Sequence, residues 1–161
     1  MTFPTTHPAL ARALAARNYS VPTAVQLAVL QEDRAGRDML VSAQTGSGKT
    51  VAFGLAMAKT LLGAAERFER AVEPAALIIA PTRELALQVH NELVWLYADT
   101  GARIITCVGG MDVRAEARQL NSGAHIVVGT PGRLRDHLER KRLDLTKLKT
   151  IVLDEADEML D

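Results

Sequence analysis

Five short apolar runs constrain this chain more than anything else in it. They are DMLVSA (38–43), ALIIAP (76–81), ARIITCV (102–108), AHIVVGT (124–130) and KTIVLDE (149–155). They are rich in valine and isoleucine, and each is short for a helix. They run continuously apolar instead of alternating with polar residues, so none reads as a strand with one wet face. Such a strand needs cover on both sides, the condition of a parallel sheet between helices. The stretches between the runs carry helical periodicity. RELALQVHNELVWLY, for example, sets Leu85, Val89, Leu93 and Leu96 on one face. The expected fold is α/β: a mostly parallel β-sheet with helices on both faces, forming one domain over residues 1–161. GAAERFERAVEPA at 63–75 reads as a surface connection or a frayed helix end before a strand.

Composition narrows the partners. A chain of 161 residues can bury a core of its own. Its 19 basic and 19 acidic side chains cancel, so any case for a nucleic-acid partner rests on local sites. Cys107 is the one cysteine, which excludes an internal disulfide and a cysteine-rich zinc site and fits a reducing compartment. No apolar run approaches membrane-spanning length. Residues 1–31 hold two arginines and no acid, loosely as an organellar transit peptide would. PALARALAARN favours a helix there instead, with Pro8 in its first turn and Leu10 and Leu14 four apart.

Parallel sheets bind ligands at the carboxyl ends of their strands. The first run leads into AQTGSGKT (43–50), followed by the helical VAFGLAMAKTLL. Gly46 and Gly48 let backbone N–H groups converge on phosphate oxygens where a Cβ would obstruct. Lys49 can reach β- and γ-phosphates, and the Thr50 hydroxyl can ligate Mg²⁺. Ala43 stands where the GxxxxGK[ST] pattern has its first glycine. A flexible Gly-Ser linker has similar composition, but it would not lie between a buried run and a helix. The last run ends in acids: Asp154, Glu155, Asp157, Glu158 and Asp161. Asp154 should emerge at the strand end, on the edge of the phosphate loop, and can hold Mg²⁺. Glu155 can serve as general base or orient an attacking water. Asp157 lies beyond, where the chain turns into a helix whose N-terminus Glu158 and Asp161 would favour.

Three other strand ends offer phosphate-binding chemistry: Pro81-Thr82-Arg83, Gly109-Gly110 and Thr130-Pro131-Gly132-Arg133. Helix N–H groups, hydroxyls and guanidinium groups suit phosphate, and glycines allow a backbone to come close. Helix capping explains such residues one at a time. Three sets on one edge favour a nucleic-acid track that reads phosphate and sugar without sequence preference. Residues 131–149 carry seven Lys or Arg against three acids, read as a solvated helix face. Trp95 and Tyr97 suit packing or the surface better than base stacking. His90, His125 and His137 show no metal-ligand spacing. Cys107 reads as a small core residue.

DEAD at 154–157 together with AQTGSGKT resembles the DEAD-box RNA helicases, specifically their first RecA-like P-loop domain. The resemblance spans almost the whole chain and rests on an ordered set of motifs. NYSVPTAVQ (18–26) resembles the Q motif, which gives Gln26 the role of reading the adenine edge; Asn18 stands where glycine is common. PTRELALQ (81–88), the 109–110 glycine pair and TPGR (130–133) resemble the RNA-contacting motifs. The resemblance implies ATP and Mg²⁺ as cofactors. It places Thr45, Gly46, Ser47, Gly48, Lys49 and Thr50 around the nucleotide, Thr50 and Asp154 on the metal, and Lys49, Asp154 and Glu155 in catalysis. Asp157 takes a role in coupling to a second RecA-like domain. RNA is the implied partner, ATP-driven duplex unwinding or remodelling the implied activity of the whole protein, and the cytoplasm its implied location. Phe3 is the only nearby candidate for the family's adenine-stacking aromatic.

In that fold class a further strand inserts between the phosphate-loop and aspartate strands. The residues for it, the Ser-Ala-Thr motif and the arginine fingers of the second domain would follow Asp161. The chain is therefore expected to be incomplete at its C-terminus and inactive in unwinding by itself. A gap or compensating contact between those two strands is expected as well.

Overall fold

The computed structural model describes residues 2–31, 36–44, 46–110 and 112–160. Four of the five apolar runs form strands: β1 (Ala76–Ile79), β2 (Ile104–Cys107), β3 (Ile126–Gly129) and β4 (Thr150–Leu153). All pair in parallel, in the order β2-β3-β1-β4. The register sets Cys107, Gly129, Ile79 and Leu153 at one level, so all four strands end together.

Among the described residues six α-helices accompany them: α1 (Pro8–Ala16), α2 (Ala24–Val29), α3 (Lys49–Leu62), α4 (Arg83–Leu96), α5 (Val113–Asn121) and α6 (Pro131–Glu139). The chain crosses from β1 to β2 through α4, then returns across the sheet through α5 and α6. With a constant crossover hand, that reversal puts α4 on one face and α5 and α6 on the other. Neighbouring strand residues accordingly enter different cores. Ala76, Ile78, Ile126 and Val128 pack with Leu55, Val89, Leu93 and Leu96, and with Leu10 and Leu14 of α1. Leu77, Ile105, Cys107 and Val127 pack with Leu134 and Leu143. This is the two-sided burial that continuous apolar runs require.

Local signals account for the helices. Pro8 opens α1, and the His7 ring nitrogen Nδ1 accepts from the Ala9 N–H at 3.2 Å. Leu10 and Leu14 are buried, as a helix there predicts. On α4 the buried face is Ala86, Val89, Leu93 and Leu96, with Leu85 half-buried beside it. Tyr97 is fully buried at the end of α4, and its hydroxyl donates to the Gly54 carbonyl of α3 at 2.5 Å. Trp95 lies nearer the surface, stacked on Tyr19 at 5.5 Å, with the Arg17 guanidinium 4.7 Å from its ring centre.

The fifth run departs from expectation. Residues 38–43 form no strand. Met39, Leu40 and Val41 are exposed, Leu40 almost completely. A strand exists through a partner ladder, and among the described residues nothing pairs with the outer edge of β4. Cover on the α5/α6 face also stops short of β4. Ile151 and Leu153 sit in register with Leu77 and Ile79 yet are more than half exposed, whereas Val152 packs into the opposite core.

An unpaired edge carrying two large apolar side chains is a template for pairing with another chain. The protein should self-associate as its concentration rises, and Ile151→Lys or Leu153→Lys should shift it toward monomer in sedimentation velocity. Because both side chains face solvent, each change should move unfolding stability by no more than about 0.5 kcal/mol. A wild-type protein that stays monomeric at high concentration refutes this.

Candidate nucleotide site and nucleic-acid edge

The loop before α3 is shaped by two left-handed glycines, Gly46 at φ 84° and Gly48 at φ 81°. Gly48 is the N-cap of α3, and a Cβ there would run into the Gln26 amide. Thr45 lies outside the described residues. The Ser47 hydroxyl is buried with no partner among the described residues. Buried polar atoms seldom stay unpaired, and this one sits at the positive end of a helix with no acid in its first turn. A phosphate group fits those features.

Lys49 opens α3 and reaches across to the end of β4. Its Nζ lies 3.0 Å from Asp154 Oδ1 and 2.8 Å from Glu155 Oε1. These contacts tie the phosphate loop to the end of β4. Asp154 is buried, and its N–H extends the ladder by donating to the Ile79 carbonyl at 2.8 Å. Glu155 adopts a left-handed conformation at φ 53°, which costs a non-glycine residue about 1–2 kcal/mol. Burial works against the Lys49 ammonium, but the hydrogen bonds it donates to Glu155 and Asp154, with their charge, outweigh it and raise its pKa. One ammonium between two carboxylates leaves a formal charge of −1, which suits a divalent cation with oxygen ligands. Thr50 follows Lys49 in the same helical turn. The helix expected after DEAD is only a 3₁₀ turn, Ala156–Met159, with Asp157 and Glu158 exposed. Its first turn holds acids as expected; Asp161 lies outside the described residues.

Gln26 has both polar ends engaged. Its Oε1 accepts from the Thr23 N–H at 2.9 Å, completing a capping box on α2, and its Nε2 donates to the Gly48 carbonyl at 3.2 Å. The side chain expected at the adenine edge is thus tied to the phosphate loop. Phe3 is half-buried against the larger core.

The common strand register brings the other three segments to the same edge, in the order Gly109-Gly110, Thr130 to Arg133, Pro81 to Arg83, then Asp154. Thr82 caps α4, its hydroxyl accepting from the Leu85 N–H at 3.2 Å. Thr130 makes no such side-chain bond, so capping accounts for one threonine and not the other. Arg83 is exposed and lies against Gly110, its Nη1 2.7 Å from where a Cβ would stand. Gly110 is left-handed at φ 84°. Pro131 and Gly132 are exposed at the start of α6.

Arg133 turns inward. Its Nη1 donates to Glu116 Oε1 at 2.8 Å. The same oxygen receives His137 Nε2 at 2.8 Å, and Oε2 accepts from the Val108 N–H at 2.8 Å. Neither Glu116 nor His137 was marked for a role by the sequence, since an acid within polar α5 reads as solvated. The fold also brings Cys107, Glu116 and His137 within 4.8 Å of one another, although their spacing along the chain shows no ligand pattern. Burial first, then Glu116, push the Cys107 thiol up to about 12, as suits a core residue.

Comparison with known proteins agrees with these motifs. The sequence model of a family described as DEAD/DEAH box helicase matches residues 23–161. The chain is 40% identical over 152 residues to the DEAD-box ATP-dependent RNA helicase CshA of Bacillus licheniformis, covering 94% of this chain and 30% of that one. It is 44% identical over 163 residues to DEAD-box ATP-dependent RNA helicase 52A of Oryza sativa subsp. japonica, covering 95% and 27%. Against the ATP-dependent RNA helicase CshA of Listeria monocytogenes it is 48% identical over 126 residues, covering 78% and 23%. The chain thus spans less than a third of the length of these relatives. No helix among the described residues is long and apolar enough to cross a membrane.

Removing Lys49 leaves the buried Asp154 without its counter-charge. Lys49→Met should cost about 1–3 kcal/mol at neutral pH, read by chemical denaturation. The raised pKa fixes the alkaline behaviour. The Lys49 contribution is fully present below the ordinary lysine value of 10.5 and disappears as pH rises through the higher folded-state value. The gap between wild type and variant should therefore close at strongly alkaline pH. Equal stabilities at neutral pH count against the clamp.

Proposed function

This chain belongs to the DEAD/DEAH box helicase family, and from that premise we propose that it is the ATP- and RNA-binding part of an ATP-dependent RNA helicase. The observation that carries the reading is Lys49, held between Asp154 and Glu155 at the mouth of the loop formed by Gly46, Ser47 and Gly48. Phosphates would lie over that loop and the first turn of α3, with Thr45 beside them. The Lys49 ammonium would exchange its carboxylates for phosphate oxygens. Thr50 and Asp154 are the residues to hold Mg²⁺, which when bound stabilises charge on the transferring phosphoryl group. Glu155 would orient the attacking water or take its proton. Gln26 would read the adenine edge, and its bond to the Gly48 carbonyl makes it sensitive to the position of the phosphate loop.

RNA would run along Gly109-Gly110, Thr130-Pro131-Gly132 and Pro81-Thr82-Arg83. These segments offer backbone groups, a threonine hydroxyl and an exposed guanidinium, so phosphate and sugar would be read without base preference. Asp157, exposed beyond Glu155, would couple the site to a second RecA-like domain. Duplex unwinding or remodelling driven by ATP hydrolysis would belong to the whole protein, because RNA clamping needs two domains that close together. The buried, unpaired Cys107 is consistent with a cytoplasmic location.

Calorimetric titration with ATP and Mg²⁺ tests the site. Lys49→Ala should weaken ATP binding by at least about tenfold, because the charged hydrogen bonds to phosphate are lost. ATP should bind more tightly than GTP, and Gln26→Ala should narrow a difference worth about 1–3 kcal/mol. Unchanged ATP affinity in the Lys49 variant would sink the nucleotide assignment. Equal ATP and GTP affinities in the wild type would sink the adenine assignment alone.

A further inference from the structure

We propose that Glu116 is a positioning residue that fixes the Gly109-Gly110 turn and the start of α6 as one rigid piece of the RNA edge. In that role it holds Arg133 as an internal strut and not as a phosphate ligand. The proposal rests on the RNA reading of this edge. Glu116 is 3% exposed, so its carboxylate is stable only if fully compensated. Three donors do this, from Val108, Arg133 and His137. Val108 is the last residue before the glycine pair. Arg133 and His137 lie one turn apart on α6, directly behind the exposed Pro131 and Gly132. One carboxylate therefore ties together two segments that come from different strands and present their backbones at the same edge. A backbone bond from the Thr130 N–H to the Cys107 carbonyl at 3.1 Å supports the same junction.

Arg133 shows the consequence. Its side chain is 17% exposed, and Nη1 is directed at a buried carboxylate. Arg83, exposed beside Gly110, is the guanidinium available to a phosphate. Cys107, Glu116 and His137 could also be imagined as metal ligands, since their donor atoms cluster within 4.8 Å. Both Glu116 oxygens already accept N–H donors, and Arg133 puts a positive charge at one of them. A divalent ion would have to displace that charge, so the cluster is a hydrogen-bond hub.

The test measures binding of a labelled oligouridylate strand across a salt series, for wild type, Glu116→Gln, Arg133→Met and the double variant. Each single change should weaken binding by about tenfold, the scale of a lost charge-assisted bond in a buried network. The double should be no weaker than the weaker single, because both act through one hub. The slope of log affinity against log salt should stay at its wild-type value. If Arg133 is a direct phosphate ligand, Arg133→Met lowers that slope by about 0.7, the share of one phosphate on a single strand. Such a drop, with losses that multiply in the double variant, overturns the proposal. Should Glu116→Gln fail to fold, Arg133→Met alone gives the slope reading, since it leaves the Val108 and His137 bonds in place. Amide exchange without RNA judges the hub separately. The Val108 N–H should exchange faster in Glu116→Gln while β1 and β3 amides keep their protection. Unchanged Val108 protection overturns the hub. A wild type that binds no oligouridylate defeats the RNA reading instead, and the exchange result then stands by itself.

Discussion

Four parallel strands that end at one level determine where the chemistry of this protein can be. With Cys107, Gly129, Ile79 and Leu153 in rank, the next residues leave the sheet side by side. Neighbouring strands lie about 4.8 Å apart, so β2 to β4 spans roughly 14 Å. The glycine pair, the start of α6, the start of α4 and Asp154 therefore share one continuous edge. Register is what holds them there. A slip of β4 by one residue would turn Val152 out of the core and swing Ile151 and Leu153 into it, moving Asp154 off the Ile79 carbonyl. The ladder that β4 shares with β1, extended by the Asp154 bond, opposes that slip.

The same constraint explains which strands could be read in advance. Runs at 76–81, 102–108, 124–130 and 149–155 read as strands buried on both faces, and all four formed strands, although β4 is covered on one face only. The run at 38–43 has similar residues and formed no strand. Val41 and Leu40 carry the propensity, but propensity only describes how well a side chain fits a pleated, half-buried surface. Here that surface has no neighbouring strand to complete it. Lys49 connects the phosphate loop to β4 by ionic contact.

What the sequence hid is polar and non-local. TPGR offered Arg133 to an outside ligand, because an arginine at a helix start suits phosphate. The fold instead aims it at Glu116, contributed by a different helix. Glu116 carries no local mark, being an acid in a polar helix that reads as solvated. Likewise, nothing in the sequence tells Thr82, whose hydroxyl caps its helix, from Thr130, whose hydroxyl makes no capping bond. Apolar burial follows a period and can be counted along the chain. The choice of hydrogen-bond partner depends on which helices the sheet brings together, and no period records that.

Two charged hubs now stand at opposite ends of the edge, and their balance differs. Glu116 meets the fixed charge of Arg133, so that hub is formally neutral, and its carboxylate is almost fully buried. It gains nothing by changing partners. Lys49 faces two carboxylates, so its hub is left at −1, with all three side chains close to or inside the sheet end. A phosphate arriving at the loop competes for the ammonium. Success would leave Asp154 and Glu155 side by side with no counter-charge, Asp154 in a buried position, and the repulsion and desolvation would oppose the exchange. On the proposed reading, Mg²⁺ held by Thr50 and Asp154 would supply the lost counter-charge and make the exchange favourable. Anion and cation binding would then be one linked event, because neither charge is well matched without the other. Under the proposal above, the neutral hub would keep its geometry whether or not that event occurred, as a fixed track beside a changing site requires.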